Sequence, residues 1–445
     1  MSVVHPVDID PAALLALHAA SPDLYPALFE SAAAGEPLGR FDILFAHPAG
    51  SLLAASAAEP FLPALDRWWQ RERVAASPAE PGPAVPFTGG WLLYLGYELA
   101  GQIEPRLRLP QPAAGPIAQA IRIPAAVVHE HGSARCWIVA ETEAADLIPR
   151  IAADLSRVGR LSASREPLVE PPVAEDDPQH YLRAVERALE YIGAGDVYQA
   201  NLSRGWRATL RPGVQPHHVY QRLRETNPGP FSGVAQLAEI AVISSSPERL
   251  VSVHDGVVTT RPIAGTRPRG ADPAADLALA RELHAHPKER AEHVMLIDLE
   301  RNDLGRVCEA GSVRVDEFMT IESYSHVHHI VSNVRGRLRA DVTPGNVLAA
   351  VFPGGTITGC PKIRCMEIIA ELEGAPRGAY TGSLGYLNRD GSMDMNILIR
   401  SLQLDGRNLG LRAGAGIVAD SIAERELEET RAKARGVLRA LGVEA

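Results

Sequence analysis

The sequence predicts an α+β fold with largely antiparallel sheets, and three observations carry that prediction. Short apolar or alternating stretches bounded by Gly, Pro, Asn and Asp recur along the chain and read as strands. Helix-period segments fall in clusters between strand pairs, without the regular βαβα repeat of a parallel sheet. The 445 residues are 46% hydrophobic and 22% charged, a globular profile with enough chain for a large core or for several lobes.

The elements follow in order. Pro11–Ala20 is a short helix, Leu38–Ala46 a strand after a turn, and Trp91–Leu95 a buried strand after Thr88-Gly89-Gly90. Ala125–Val128 and Cys136–Val139 form a hairpin around His131-Gly132, and the proline-rich stretches Ser77–Pro86 and Leu109–Pro116 are surface loops. Residues 1–160 thus read as an N-terminal α/β subdomain, and 161–178, mixing Pro, Glu and Asp without period, as a linker. In the remaining 179–445, Tyr181–Ala194 is an amphipathic helix and GDVYQANLSRGW starts a strand. Ala241–Ser244 and Val257–Thr260 are strands, Pro287–Leu304 a helix, and Val327–Arg337 a strand. Further strands are expected at Ser383–Leu387, Ile397–Leu402 and Leu409–Ala413, before a last helix from Ser421.

Phe352–Gly374 is the segment around which the rest is arranged. The loop Gly354–Gly359 leads through Pro361, expected as the first helical residue, into a helix carrying Ile363, Met366, Ile369 and Ala370 and stopped by Gly374 and Pro376. A glycine-rich loop entering a helix N-terminus suits an anion. It is not a Walker loop, because Cys360-Pro361 separates Gly359 from Lys362.

The net charge of -10, with no basic run, excludes nucleic acid as the expected partner. No stretch approaches 18 apolar residues and the N-terminus lacks a basic segment before an apolar core, so no membrane is expected and the location is cytoplasmic. The four cysteines show neither metal spacing nor Cys-x-x-Cys, which fits a reducing compartment. Only three of the 44 basic residues are lysines: Lys288, Lys362 and Lys433. In so Arg-rich a chain, a surviving lysine marks a place where a compact ammonium is wanted.

Two helices carry paired carboxylates. Glu289 and Glu292 share one face, and Glu426 and Glu429 line another with Lys433, behind a capping box at Ser421–Glu424. Gly414 and Gly416 precede the last helix and permit close backbone approach to a ligand. Brought together, the four carboxylates would make a hard oxygen site for Mg²⁺, and Arg400, Lys433 and the glycine-loop amides would hold a substrate's carboxylates.

Nine segments in order resemble the chorismate-utilising enzymes: GDVYQANL, SSSPERL, RPIAGTRPRG, KERAEHVMLIDLERNDLGRV, SHVHHIVS, FPGGTITGCPKIR, YTGSLGY, DMNILIR and GAGIVADS. Within the family the chain is most similar to the component I subunits of aminodeoxychorismate synthase, with those of anthranilate synthase as near relatives. The resemblance implies an α/β sandwich of two facing sheets with helices outside. It implies Mg²⁺ on Glu292 and Glu429, with Glu289 and Glu426 holding its waters. Tyr380, Arg400, Lys433, Gly414 and Gly416 would bind chorismate, His329 would lie beside the ring, and Thr356 would face it. Glu248 falls where the family carries the acid that protonates the departing 4-hydroxyl. The implied reaction joins chorismate and ammonia, delivered by a glutamine amidotransferase subunit, into 4-amino-4-deoxychorismate.

Ala264 departs from this. In PIAGT it stands where aminodeoxychorismate synthases carry a covalent lysine, as it does in anthranilate synthases, where ammonia adds directly at ring C2. The aminodeoxychorismate side is suggested by RFDI at Arg40–Ile43, PFTGGWLLYLGYEL at Pro86–Leu99, NPGPFSG at Asn227–Gly233 and FPGG at Phe352–Gly355. Leu28–Ser31 resembles instead the tryptophan-pocket segment of the relatives. The alternative expectation is therefore an anthranilate synthase component I.

Overall fold

A computed structural model describes residues 2–31, 40–56, 58, 60–75, 84–133, 135–162, 166–323 and 327–443. Leu38-Gly39, residues 77–83, 163–165 and Ser325-His326 of the segments named above lie outside these. Among the described residues the chain builds two large sheets, of twelve and ten strands, in which every paired strand runs antiparallel.

The first sheet runs from Ser2–Val7 through the predicted hairpin, now Ala125–Glu130 and Arg135–Glu141, then Phe41–Ala46 and Ala27–Glu30. It continues through Phe231–Gln236, Ile240–Ser246, Ser401–Asp405, Asn408–Ile417 and Gln199–Leu210 to the two-residue strand Gly359–Cys360. The second sheet includes Gly90–Leu95, Ser383–Asn388, Met393–Asn396, Arg249–His254, Val257–Thr260, Val327–Arg337 and Ile263–Pro268. Both sheets mix strands from either side of residues 161–178. Part of that expected linker, Val169–Glu175, is itself an edge strand on Gln199–Leu210. Its prolines are tolerated there because an edge strand has one unpaired side.

Alternation along single strands fills two layers at once. In Phe41–Ala46, Ile43 and Phe45 point into the core between the sheets, meeting Leu92, Tyr94 and Leu384 of the second sheet. Leu44 and Ala46 face the opposite way, toward the helices Ala12–Ala20, Pro216–Thr226 and Ala423–Ala440. The outer face of the second sheet is covered by Phe61–Glu72, Pro287–Gly305 and Pro344–Val351. The result is helix, sheet, sheet, helix, with apolar material in each of the three gaps. No helix among the described residues is long and apolar enough to cross a membrane.

Three local expectations are corrected. Ile397–Leu402 is not one strand: Met393–Asn396 and Ser401–Asp405 belong to different sheets, and the crossing between them places Arg400 in the left-handed region at φ 52°. That conformation costs a non-glycine residue about 1–2 kcal/mol, and the Arg400 carbonyl, accepting from Ser245 N at 3.2 Å, helps to hold it. The capping box does not form, since Ile422 occupies the N-cap without a side-chain bond and Ser421 Oγ accepts from Val418 N at 3.1 Å. Pro361 is the extended residue before Lys362–Glu373, not its first helical one. Gly374 does end that helix, at φ 60°.

Candidate active site

The two carboxylate-bearing helices meet. Glu289 and Glu292 on Pro287–Gly305 and Glu426, Glu429 and Lys433 on Ala423–Ala440 line one cleft of about 840 Å³, together with His329, Thr356, Arg400 and Gly416. Nine of the twelve predicted site residues therefore open on the same space. Glu248, Tyr380 and Gly414 do not line it: Glu248 lies behind Thr356, Gly414 behind Lys433, and Tyr380 behind Gly414.

Glu248 is buried and accepts a 2.7 Å hydrogen bond from Thr356 Oγ1. Burial pushes its carboxyl up to about 7, against the Thr356 bond and the charges of Lys433 and Arg400. A carboxylic acid that is half protonated near neutrality is suited to donate a proton. Tyr380 is buried against Gly414: a Cβ at Gly414 would lie 2.6 Å from the tyrosine hydroxyl oxygen, 2.6 Å from Leu202 O and 2.8 Å from Asn201 Oδ1. Glycine at 414 is required by that close approach. Asn201 Oδ1 is buried without a hydrogen-bond partner, and Asn201 lines the cleft with Gln199. Sequence reasoning passed over both residues, although they alternate at 199 and 201 on the strand GDVYQANL begins.

The cations divide into paired and unpaired. Lys433 Nζ lies 2.7 Å from Glu429 Oε1 and donates to Gly414 O at 2.9 Å. Lys288 lies 2.9 Å from Asp420 Oδ1 and 3.8 Å from Glu292 Oε1. Arg267 donates to Glu289 Oε1 at 3.2 Å. The Arg400 guanidinium, by contrast, makes no hydrogen bond or ion pair with any described residue, and burial lowers its pKa against the opposing pull of Glu248. A largely enclosed cation without a partner is prepared for an anionic ligand.

The glutamates suit a hard cation by their chemistry. Burial raises Glu292 above the ordinary carboxyl range, with Lys288 opposing and Glu289, Asp420 and Glu426 adding. Glu426 is raised by burial and by Glu429, with its Ser421 hydrogen bond opposing. Four carboxylates around one cleft, two of them raised by burial and by their acidic neighbours, offer oxygen donors and a negative field, which fits Mg²⁺ with several of its waters retained. Their oxygens do not converge within 4.8 Å in any group of three, so a shell completed by water and substrate fits better than an all-protein cage.

His329 and His328 alternate as expected but both are buried, because helix Pro273–Ala285 covers the far face of their strand. His328 Nε2 donates to Asp276 Oδ1 at 2.9 Å, and its Nδ1 lies 2.7 Å from Ser323 Oγ on that face. His329 opens on the cleft, and its Nδ1 lies 3.0 Å from Thr266 Oγ1. Burial, with Arg400 adding, lowers His329 to about 4, so it is neutral at pH 7.

The glycine-loop expectation is corrected. Of the segment 354–363 only Thr356 reaches the cleft, while Cys360, Pro361, Lys362 and Ile363 line a separate groove. The N-terminus of helix Lys362–Glu373 therefore does not face the glutamates. Lys362 Nζ donates to Asp303 Oδ2 at 2.5 Å and to Val351 O at 3.2 Å. Glu300, one turn before Asp303, is also buried, its carboxyl raised by burial and by Asp303. Both were within reach of sequence reasoning, since 289, 292, 296, 300 and 303 fall on one helical stripe.

Comparison with known proteins places these features in a lineage. Over 268 residues the chain is 51% identical to anthranilate synthase component 1 of Thermus thermophilus, covering 60% of this chain and 58% of that one. Over 270 residues it is 50% identical to aminodeoxychorismate synthase component 1 of Bacillus subtilis, covering 61% and 56%. Each of these matches thus spans little more than half of the relative's length. The crystal structure of anthranilate synthase component I from Streptococcus pneumoniae superposes with a TM-score of 0.80 at 32% identity, covering 91% of this chain and 93% of that one. Residues 25–439, which include both sheets' central strands and every residue of the cleft, match the family model of chorismate binding enzymes, and the chain belongs to that family.

Proposed function

We propose that the chain is a chorismate-aminating component I subunit of the anthranilate-synthase type, joining chorismate and ammonia to give anthranilate, pyruvate and water. The observation that carries this reading is Ala264. It lines the cleft where a covalent lysine would stand, and the two lysines that do line it, Lys288 and Lys433, are both held in ion pairs. With no amine free to add to the ring first, ammonia itself is the nucleophile, and addition in conjugation with the ring carboxylate takes it to C2.

The remaining roles follow from position and charge. Arg400, with Lys433, receives the substrate's carboxylates, and His329 packs as a neutral ring beside the diene. As ammonia bonds to C2, the ring electron pairs shift and the C4–O bond breaks; Glu248 delivers its proton to that oxygen, which leaves as water. Thr356, which lines the cleft, holds the Glu248 carboxyl directly behind it through their hydrogen bond. Loss of the C2 proton and of the enolpyruvyl group, released as pyruvate, makes the ring aromatic. Glu292 and Glu429 would hold Mg²⁺, with Glu289 and Glu426 on its waters, and the ion when bound supplies Lewis-acid stabilisation of the ring carboxylate. The chain's four cysteines offer no nucleophile-elbow context for a glutaminase, so ammonia arrives free or from a separate amidotransferase subunit.

A second reading, amination at C4 to give 4-amino-4-deoxychorismate, is favoured by NPGPFSG at Asn227–Gly233, whose Pro228 and Pro230 line the cleft. Intact mass after incubation with chorismate and Mg²⁺, without ammonia, separates the two mechanisms. The wild-type chain should carry no adduct and Ala264→Lys should acquire one; a chorismate-derived adduct on the wild type would overturn direct addition.

A further inference from the structure

A second cluster of ligand-type side chains lies away from the cleft, at the opposite end of the first sheet. Asp42 and His129 are directly paired across strands Phe41–Ala46 and Ala125–Glu130, so their side chains share a face. His131 follows in the turn, and its amide donates to Arg40 O at 2.9 Å, which folds its ring back over the same face. Asp42 Oδ2 lies 2.8 Å from His129 Nδ1, and Asp42 Oδ1 lies 2.7 Å from His131 Nε2. The three donor atoms all fall within 4.8 Å of one another, the only such group among the described residues. Asp42 and His129 are buried, while the His131 side chain is 34% exposed and leaves an entry path. Glu130, between the two histidines, points to Arg40 at 2.7 Å and Arg135 at 2.9 Å and takes no part.

We propose that Asp42, His129 and His131 form a binding site for a divalent transition ion of the Zn²⁺ class. Two imidazoles and one carboxylate are a donor set that favours Zn²⁺ or Co²⁺ over Mg²⁺, in contrast to the all-oxygen cleft. Donors 2.0–2.2 Å from a tetrahedral ion stand about 3.3–3.5 Å apart, and three donor atoms within 4.8 Å of one another reach that spacing by small side-chain rotations. Each ring turns a lone pair to the ion by moving its proton to its other nitrogen, and water completes the shell. The Ser31 amide donates to Asp42 Oδ1 at 3.1 Å, and Ser31 also lines a smaller cavity of about 270 Å³ between the sheets. The ion would therefore brace the wall of that cavity as well as the hairpin.

The test is a titration of the chelator-treated full chain with Co²⁺ in saturating Mg²⁺, followed by visible absorption. One equivalent should bind with a d–d band. His131→Ala, in the half-exposed turn, and Asp42→Asn should each weaken binding at least tenfold, while Glu292→Gln in the cleft leaves it unchanged. Zn²⁺ should raise the thermal midpoint of the wild type and not of His131→Ala, whose circular dichroism reports that it has folded. Absence of stoichiometric binding, undiminished binding by folded His131→Ala, or loss of binding in Glu292→Gln would each overturn the site.

Discussion

Thr356→Val tests the acid assigned to Glu248. Valine keeps the volume and branching of threonine but removes the hydroxyl that donates to Glu248 Oε1 at 2.7 Å. That bond favours the charged carboxylate and opposes the burial that raises its pKa. A hydrogen bond to a charged, enclosed group contributes roughly 1.5–3 kcal/mol. At 1.36 kcal/mol per unit, its loss raises the Glu248 pKa by about 1–2 units. The protonated acid is the active form, so at constant free ammonia the wild-type rate should fall tenfold per pH unit above about 7. In Thr356→Val the limb should move upward, to about 8–9, even where the plateau is lowered by poorer aim of the acid. The assay is initial rate with ammonium salts from pH 6 to 10, corrected at each pH for the NH₃ fraction. A limb that stays in place, or moves to lower pH, refutes the reasoning.

Other outcomes follow from the same geometry. Glu292→Gln and Glu429→Gln should each lose at least tenfold in turnover with an unchanged thermal midpoint, and EDTA should abolish wild-type activity; full activity in either variant would remove Mg²⁺ from those residues. Purified chain should turn over with ammonium salts alone and use glutamine only after a separate amidotransferase subunit is added, so glutamine-dependent activity of the single chain would contradict the partner assignment.

Much of the fold was legible because its signals are local. An unbroken apolar run behind the Thr88-Gly89-Gly90 turn marks Gly90–Leu95, apolar β-branched residues mark Val327–Arg337, and the helix reading of Pro287–Gly305 holds within a residue. The pairing of sheets is non-local and came through family resemblance, as did the assignment of Glu248. The spacing showed Glu289 with Glu292 and Glu426 with Glu429 each on one helix face, whereas the meeting of the two pairs in one cleft is non-local and came through the family resemblance. What was missed depends on tertiary direction. A glycine-rich loop does not reveal which groove its helix faces, and the left-handed turn at Arg400 that splits Ile397–Leu402 belongs to a crossing between sheets. The sequence leaned toward C4 amination on the strength of several short motifs; the single residue Ala264, and the greater number of anthranilate synthase relatives, weigh the other way.

The ring position that receives ammonia decides between the two reactions. The measurement is the product of chorismate, ¹⁵N-ammonium and Mg²⁺ with the purified chain, separated by chromatography and located by NMR, with no lyase added. Direct addition of ammonia at C2 gives ¹⁵N-anthranilate with one equivalent of pyruvate. Accumulation of 4-amino-4-deoxychorismate, labelled at C4 and converted to para-aminobenzoate only when a lyase is supplied, would contradict it.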